Sequence, residues 1–281
     1  MQNVISVDSH FHVFKAGQAL PGARYTPAYN ATLAAWQAAA MPHNITHGVL
    51  VQTSFMGTDN SLLLAHLAQH ADMLRGVAVV SPDAGRALLE RLHDQGVRGI
   101  RLNLAGQSHD MSAWAAATAL WEAVAQLGWH VELHTDAGAL PGVLAALPQG
   151  LPVVVAHFGK PATCSSLDAT VVALRRRSQV GQASAATSGQ PPGAQVSPVH
   201  VKLSGAYRLA SGVSPKTLAR VWLGELGSQA LLWGSDWPCT NHESEADYPA
   251  LHAALDGWLG GDHAAVLAAR ATNPMRLYWE R

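Results

Sequence analysis

The segment Val4-Ile5-Ser6-Val7-Asp8-Ser9-His10-Phe11-His12-Val13-Phe14 predicts a buried strand that ends in a pair of histidines. Side chains alternate between the two faces of an extended chain, so His10 and His12 point the same way. Two imidazoles aimed at one point beyond a strand end can chelate a divalent metal or act as a paired acid and base. A His-x-His pair alone is equally compatible with a surface or core pair, so its meaning depends on the residues that follow.

The composition indicates a globular protein with a large apolar core. The 281 residues are 48% hydrophobic and only 13% charged, with a formal net charge of -1. A nearly neutral chain is not expected to bind nucleic acid or an anionic membrane as its main partner. We find no signal peptide and no run of about 18 apolar residues, which predicts a cytoplasmic protein. Cys164 and Cys239 indicate no disulfide framework.

Short apolar segments alternate with helical segments of about ten residues along the whole chain. Eight such units are typical of parallel βαβ structure and predict a closed (β/α)8 barrel, or TIM barrel. An open doubly wound sheet is the alternative. The predicted strands lie at 4–7, 49–52, 74–80, 97–102, 129–134, 152–157, 199–204 and 231–236.

One stretch breaks this pattern. Residues 178–198 (SQVGQASAATSGQPPGAQVSP) are small, polar and rich in Gly, Ser and Pro, without periodicity. This composition predicts a flexible insertion. Because the alternation resumes beyond it, we interpret residues 1–281 as a single domain that contains this insertion, not as two domains joined by a linker.

Polar residues recur where the predicted strands end. In (β/α)8 barrels the carboxyl ends of the strands form the active site, so these residues are expected to meet there. Each alone has a structural alternative, such as a satisfied core histidine, an arginine paired with a carboxylate or an N-cap. Together they are costly to bury unless they are used. The candidates in chain order are His10, His12, Ser54, Arg101, His134, His157, Arg208 and Asp236.

Several motifs resemble the amidohydrolase superfamily. The motifs are Asp8-Ser9-His10-Phe11-His12, Ala156-His157-Phe158-Gly159 and Trp233-Gly234-Ser235-Asp236-Trp237-Pro238. Residues 51–60 and 273–278 resemble the amidohydrolase-related branch, which contains lactone hydrolases. Residues 24–27, 101–103 and 202–208 resemble most the 2-pyrone-4,6-dicarboxylate lactonases of that branch. The similarity covers the chain except for residues 178–198.

The resemblance implies a hydrolase that opens a lactone, or a related ester, of a small carboxylated molecule from aromatic-compound catabolism. Asp236 would be the general base that deprotonates the attacking water. His10, His12 and His157 would polarise the carbonyl directly, or would join Asp236 in holding one divalent cation, with zinc the first choice. Arg101 and Arg208 would bind substrate carboxylates. Tyr25, Ser54 and His134 would add contacts to the substrate.

Two departures from the family pattern bear on these roles. Many binuclear relatives have a bridging lysine on the fourth strand, where this chain has Arg101, which implies one metal or none. The dicarboxylate lactonases have a second arginine shortly after that strand, where this chain has Gln107. A metal-dependent decarboxylase of the aminocarboxymuconate type is an alternative on the same barrel. A third interpretation is a barrel that binds a small acid without catalysis.

Overall fold

The computed structural model describes residues 5–186 and 198–280, and these residues form one eight-stranded sheet. Each strand is parallel to the next, and the strands pair in chain order. The strands are β1 (Val7–Phe11), β2 (His47–Val51), β3 (Leu74–Ala78), β4 (Val97–Asn103), β5 (His130–His134), β6 (Val153–Val155), β7 (Val199–Leu203) and β8 (Leu231–Trp233).

Main-chain hydrogen bonds between β1 and the residues after β8 close this sheet. The amide of Asp236 donates to the carbonyl of His10 at 2.8 Å, and the amide of His12 donates to the carbonyl of Trp237 at 2.9 Å. The predicted (β/α)8 barrel is therefore confirmed, and the open sheet is not formed. The first strand begins later than predicted, so that His10 lies within β1 and His12 directly after it.

The carboxylate of Asp8 reinforces this closure from inside the protein. It is fully buried and accepts hydrogen bonds from the amide and hydroxyl of Ser235 at 2.9 and 2.6 Å. Trp36 Nε1 and the Tyr248 hydroxyl donate to its Oδ2 atom, each at 3.0 Å. Buried carboxylates are tolerated only when their oxygens are satisfied, so Asp8 has a structural task in holding β1 against the segment after β8.

Helices cover the outside of the barrel. They are α1 (Leu33–Ala40), α2 (Ser61–Gln69), α3 (Arg86–Asp94), α4 (Ser112–Ala115), α5 (Thr118–Gln126), α6 (Leu140–Ala145), α7 (Ala169–Ala186), α8 (Pro215–Leu226), α9 (Tyr248–Trp258), α10 (His263–Leu267) and α11 (Asn273–Tyr278). Two helices, α4 and α5, lie between β4 and β5, where the alternating pattern predicts one. A π-helical turn over Ala268–Thr272 separates α10 from α11.

Apolar side chains from strands and helices form the main core. Leu89 and Leu92 of α3 belong to the same buried cluster as Ile100 and Leu102 of β4. Their spacing, three residues apart on the helix and two on the strand, is what places each pair on one face. Burial of each such side chain contributes roughly 1.5–3 kcal/mol.

Part of the predicted insertion is helical. Helix α7 continues to Ala186, although Ser178 was predicted to begin a flexible segment. Alanine and glutamine recur between 179 and 186, and both are good helix formers, so the helix can extend without a periodic apolar face. Residues 187–197 of the predicted insertion lie outside the described residues. The single-domain interpretation stays a prediction.

None of the helices in the described part of the chain has the length and apolar character needed to cross a membrane. The cytoplasmic location stays a prediction from the sequence.

Candidate active site

A cavity of about 690 Å³ opens where the strands end. All the predicted site residues except His10 line it: His12, Tyr25, Ser54, Arg101, His134, His157, Arg208 and Asp236. His10 is fully buried and lies directly against the cavity's inner end, next to Asp236. The structure therefore brings together the residues that the strand-end pattern selected, and with them Tyr25, which only the resemblance had indicated.

Asp236 lies at the centre of three histidines. Its Oδ1 atom is 3.5 Å from His10 Nε2, 3.6 Å from His12 Nε2 and 3.8 Å from His157 Nε2. Oδ1 and His10 Nε2 are both buried and have no hydrogen-bond partner among the described residues. Unsatisfied buried polar atoms are costly, so this pair marks a place that a ligand or water is expected to fill.

The other oxygen of Asp236 is anchored. Tyr207 donates its hydroxyl to Oδ2 at 2.8 Å, and Arg208 donates Nε–H to the same atom at 2.7 Å. Burial alone would raise the pKa of this carboxyl, but the Arg208 guanidinium and neighbouring imidazoles outweigh it and hold the pKa well below its usual range. Asp236 is consequently an anion with one fixed oxygen and one oxygen facing the cavity.

Unusual backbone conformations aim two of these side chains. Asp236 has φ 60° and His157 has φ 51°, both in the left-handed region. Non-glycine residues in such regions cost about 1–3 kcal/mol each and cluster at functional sites. Gly205 packs closely against both, since a Cβ at position 205 would lie 2.6 Å from His157 Nδ1 and 3.2 Å from Asp236 Oδ2. Only glycine leaves room for this packing.

The three histidines around Asp236 each place Nε2 toward its carboxylate, and their Nδ1 atoms have different partners. His12 Nδ1 lies 2.7 Å from the carbonyl of Val51, which can only accept, so Nδ1 carries the proton and Nε2 presents a lone pair. His157 Nδ1 lies 3.1 Å from the Ser204 hydroxyl, which can donate or accept. His10 Nδ1 lies 3.3 Å from the ammonium of Lys202.

Lys202 and Glu132 form a buried ion pair beneath His10 that the sequence interpretation missed. Lys202 Nζ donates to Glu132 Oε2 at 2.5 Å, and both side chains are fully buried. The sequence did contain a signal for this pair, because each residue is charged and lies within an otherwise apolar strand. Glu132 also lies two residues before His134, and Lys202 two residues before Ser204, so that each shares the inward face of its strand.

Arg101 and Arg208 line the cavity, but each also contacts the protein. Arg101 donates one terminal N–H to the carbonyl of Gln52 at 2.9 Å, and its Nε lies 3.8 Å from Glu132 Oε1. Arg208 donates to Asp236 and to the carbonyl of Thr240. Both arginines are therefore fixed in place, and Arg208 combines a cavity position with an internal ion pair.

The remaining predicted residues lie on the cavity wall. His134 is buried, and neither of its ring nitrogens has a partner in the described part of the chain. Burial, together with Arg101 and other nearby cations, lowers the pKa of His134 well below its usual range, which keeps the ring neutral. Tyr25 donates its hydroxyl to Glu243 at 3.0 Å, whereas Ser54 begins a short 3-10 turn.

Arg24 and Lys160 add two positive charges to this wall that the sequence interpretation did not select. Arg24 donates to the carbonyl of Ala105, which ties the first loop to the loop after β4. Lys160 follows the turn at His157 and has φ 46°. Neither lies on a strand, so no periodic pattern could have placed them at the cavity.

One cluster among the described residues has a spacing that would suit a divalent cation, and it consists of His10, His157 and Asp236. Their ligand atoms lie within 4.8 Å of one another. Spacing is only half of the requirement, because a coordinating nitrogen must present a lone pair while its other nitrogen donates to an acceptor. His12 meets this condition. His10 does not, because two groups lie 3.3 Å from its Nδ1, Lys202 Nζ and Glu132 Oε1, and only the ammonium, which can only donate, is in hydrogen-bond geometry. Judged by the hydrogen bonds of its histidines, therefore, this cluster does not suit a metal ion.

Comparisons with known proteins agree with this geometry. The amidohydrolase family model matches residues 7–279. The 2-pyrone-4,6-dicarboxylate hydrolase of Comamonas testosteroni is 31% identical over 280 residues, which cover 98% of this chain and 90% of the relative. The 4-sulfomuconolactone hydrolase of Rhizobium radiobacter is 27% identical, covering 82% of this chain and 75% of that protein.

A solved structure is similar over almost the whole chain. It is a crystal structure from Acinetobacter baumannii, described as a 2-pyrone-4,6-dicarboxylic acid hydrolase with citric acid bound. The two chains are 31% identical, the similarity covers 97% of this chain and 98% of that one, and the TM-score is 0.80. The chain belongs to the amidohydrolase family.

Proposed function

We propose that this protein hydrolyses the lactone of a small molecule that carries at least two acidic groups. The observation that carries this proposal is the charge of the cavity. Among the described residues that line it, four are cations, Arg24, Arg101, Lys160 and Arg208, and one is a carboxylate, Asp236. Because Asp236 neutralises only Arg208, the rest of the wall favours a polyanion.

The relatives agree with this substrate class. A 2-pyrone-4,6-dicarboxylate is a cyclic ester with two carboxylates, and a sulfomuconolactone is a cyclic ester with a sulfonate. Citric acid, found in the Acinetobacter baumannii structure, has three carboxylates. The alternative of a decarboxylase finds no support among these names. Gln107 is one of the lining residues where a second arginine was expected, so we place the compensating charge on Arg24 and Lys160.

Asp236 is the general base of the proposed reaction. A water molecule beside its unpartnered Oδ1 atom can give up a proton to Asp236 as the water oxygen attacks the lactone carbonyl. The hydrogen bonds from Tyr207 and Arg208 to Oδ2 fix the carboxylate, so that Oδ1 alone is available. His12 Nε2, with its lone pair, accepts the second hydrogen of the same water and orients it.

The developing charge on the carbonyl oxygen needs donors on the opposite side. His10 Nε2 is one such donor if it carries a proton. When the tetrahedral adduct collapses, the ring C–O bond breaks and Asp236 returns its proton to the leaving oxygen. The product acid ionises, so each turnover releases one proton.

Of the two versions of carbonyl activation predicted from the sequence, we propose the one without a metal. The bonding of His10 Nδ1 to an ammonium does not suit a zinc ligand, although two histidines and a carboxylate are otherwise donors that zinc accepts. The mechanism above relies on residues of the chain alone.

The proposal is tested with three matched lactones that bear no, one or two carboxylates. Proton release and carbon dioxide are measured in parallel. We expect proton release without carbon dioxide, and kcat/KM highest for the diacid. Arg101→Met should raise KM for the diacid on the order of tenfold or more and leave the neutral lactone unchanged, because a charged hydrogen bond contributes about 1.5–3 kcal/mol. Equal losses on all three lactones would show that Arg101 supports the barrel and does not contact substrate.

A further inference from the structure

The ion pair of Lys202 and Glu132 lies outside the cavity but in contact with the site. Neither residue lines the cavity, and both are fully buried. Lys202 Nζ contacts two groups, Glu132 Oε2 at 2.5 Å and His10 Nδ1 at 3.3 Å. His10 is thus held between Lys202 on one side and Asp236 on the other, and the mechanism has so far assigned the ion pair no role.

The hydrogen-bond directions decide which nitrogen of His10 carries the proton. Glu132 Oε1 also lies 3.3 Å from His10 Nδ1, which would suit a proton on Nδ1. However, Oε1 has no hydrogen-bond partner among the described residues, so the Nδ1–H direction does not point at it. The Lys202 ammonium does satisfy Nδ1, and an ammonium has donors only. Nδ1 is therefore the acceptor.

We propose that Lys202, held by Glu132, is a positioning residue that keeps the proton of His10 on Nε2. The two histidines of the His-x-His motif then act with opposite polarity. His12 donates through Nδ1 to Val51 and accepts at Nε2, whereas His10 accepts at Nδ1 and donates at Nε2. The use of His10 as the donor to the carbonyl oxygen rests on the proposed function, but its tautomer is a property of the protein without substrate.

This arrangement also explains the poor fit to a metal. An Nε2 atom that carries a hydrogen cannot coordinate, and the nearby Lys202 charge opposes a second cation at the same place. Removing Lys202 should therefore allow His10 Nε2 to bind a metal ion, and not only weaken the contacts of His10.

Three variants separate this role from simple support of the barrel. Lys202→Met removes the donor and leaves Glu132 to accept from Nδ1. Glu132→Gln keeps the donor. Lys202→Met combined with Glu132→Leu removes both charges and leaves no buried ion, which protects the fold. Arg175→Met breaks the ion pair with Glu225, between helices α7 and α8 on the outside of the barrel, and is the matched control.

The readouts are the ¹⁵N resonances of the imidazoles, assigned with His10→Asn, and the affinity for added zinc. We expect Nε2–H in the unaltered protein, in Glu132→Gln and in Arg175→Met. In Lys202→Met we expect the proton on Nδ1 and a zinc affinity at least about tenfold higher, the scale on which partners of ligand histidines act. In the double variant we expect a mixture of tautomers.

A proton on Nδ1 in the unaltered protein would overturn the proposal. So would unchanged tautomer and zinc affinity in Lys202→Met or, if that variant does not fold, in the double variant. If the tautomers are as expected but no lactone is opened, the proposed function fails while the role of Lys202 stands. Neither readout depends on a substrate.

Discussion

The floor and the wall of the active-site cavity are built in opposite ways. The floor is the layer directly beneath the cavity lining, the group of His10, Glu132 and Lys202, which come from three strands and are completely buried. The wall includes Arg24 and Lys160, which come from loops and are exposed or half-buried. In the floor, cation and anion are in direct contact and fixed by packing. On the wall, cations outnumber anions.

This difference separates two tasks. Strand residues in a packed barrel hold their positions to within small tolerances, which suits the groups that carry out the reaction. Loop residues can change without disturbing the barrel, which suits the groups that select a substrate. The floor and Asp236 should therefore affect every substrate alike, and the wall should affect substrates according to their charge.

The most severe test of this division replaces the proposed base. Asp236→Asn should lower kcat on the order of 10²–10⁴, the usual contribution of a positioned base, by a similar factor for neutral and acidic lactones. Proton-release kinetics on both substrates measure this. Asp256→Asn, on the outer helix α9, is the control. A loss confined to acidic lactones would mean that Asp236 helps to organise the wall.

A smaller effect is expected from the wall. Lys160→Met should raise KM for a diacid lactone on the order of tenfold, since one charge-assisted hydrogen bond is lost, with kcat retained. A neutral lactone should show no change. Lys216→Met, an exposed lysine at the start of α8, serves as the control. If kcat falls equally for both lactones, Lys160 belongs functionally with the floor.

The smallest effect concerns stability and pH. Burial first, with nearby cations, places the pKa values of His10, His134 and His157 below that of an unfolded histidine. Below about pH 6.5 the unfolded chain takes up protons that the folded chain does not, so stability decreases as pH falls toward the folded values.

Thermal denaturation between pH 7 and pH 5 should show this decrease, with Tm falling by roughly 2–4 °C for each kcal/mol lost. His134→Asn should flatten the slope, whereas the exposed His263→Asn should not. A Tm that rises on acidification would contradict the neutral state of these rings.

Much of the fold was predictable because its signals are periodic. Each strand is a short apolar segment with helices around it, and strand ends point to a common edge, which was enough to select Asp236 and the three histidines around it. The role of each residue was not predictable in the same way. Whether His10 donates or accepts depends on Lys202, which lies 192 residues away in the sequence.

The rest escaped prediction for physical reasons. Glu132 and Lys202 are charges in apolar strands, and only the three-dimensional structure shows that they pair with each other. Arg24 and Lys160 depend on loop conformations, which have no period. The end of α7 was misjudged because small residues are compatible with both a loop and a helix, and their local composition does not decide between them.

The closure of the barrel has a consequence for the order of folding. Asp8 and Ser235, whose contact holds β1 against the segment after β8, are 227 residues apart in sequence. Bringing such distant residues together costs loop-closure entropy, so we expect this contact to form late. A chain in which the first seven strands have formed has His10 and His12 in position, but Asp236, the proposed base, is not yet beside them. If Asp236 is the base, as we propose, the capacity for hydrolysis arises in the same step that completes the barrel.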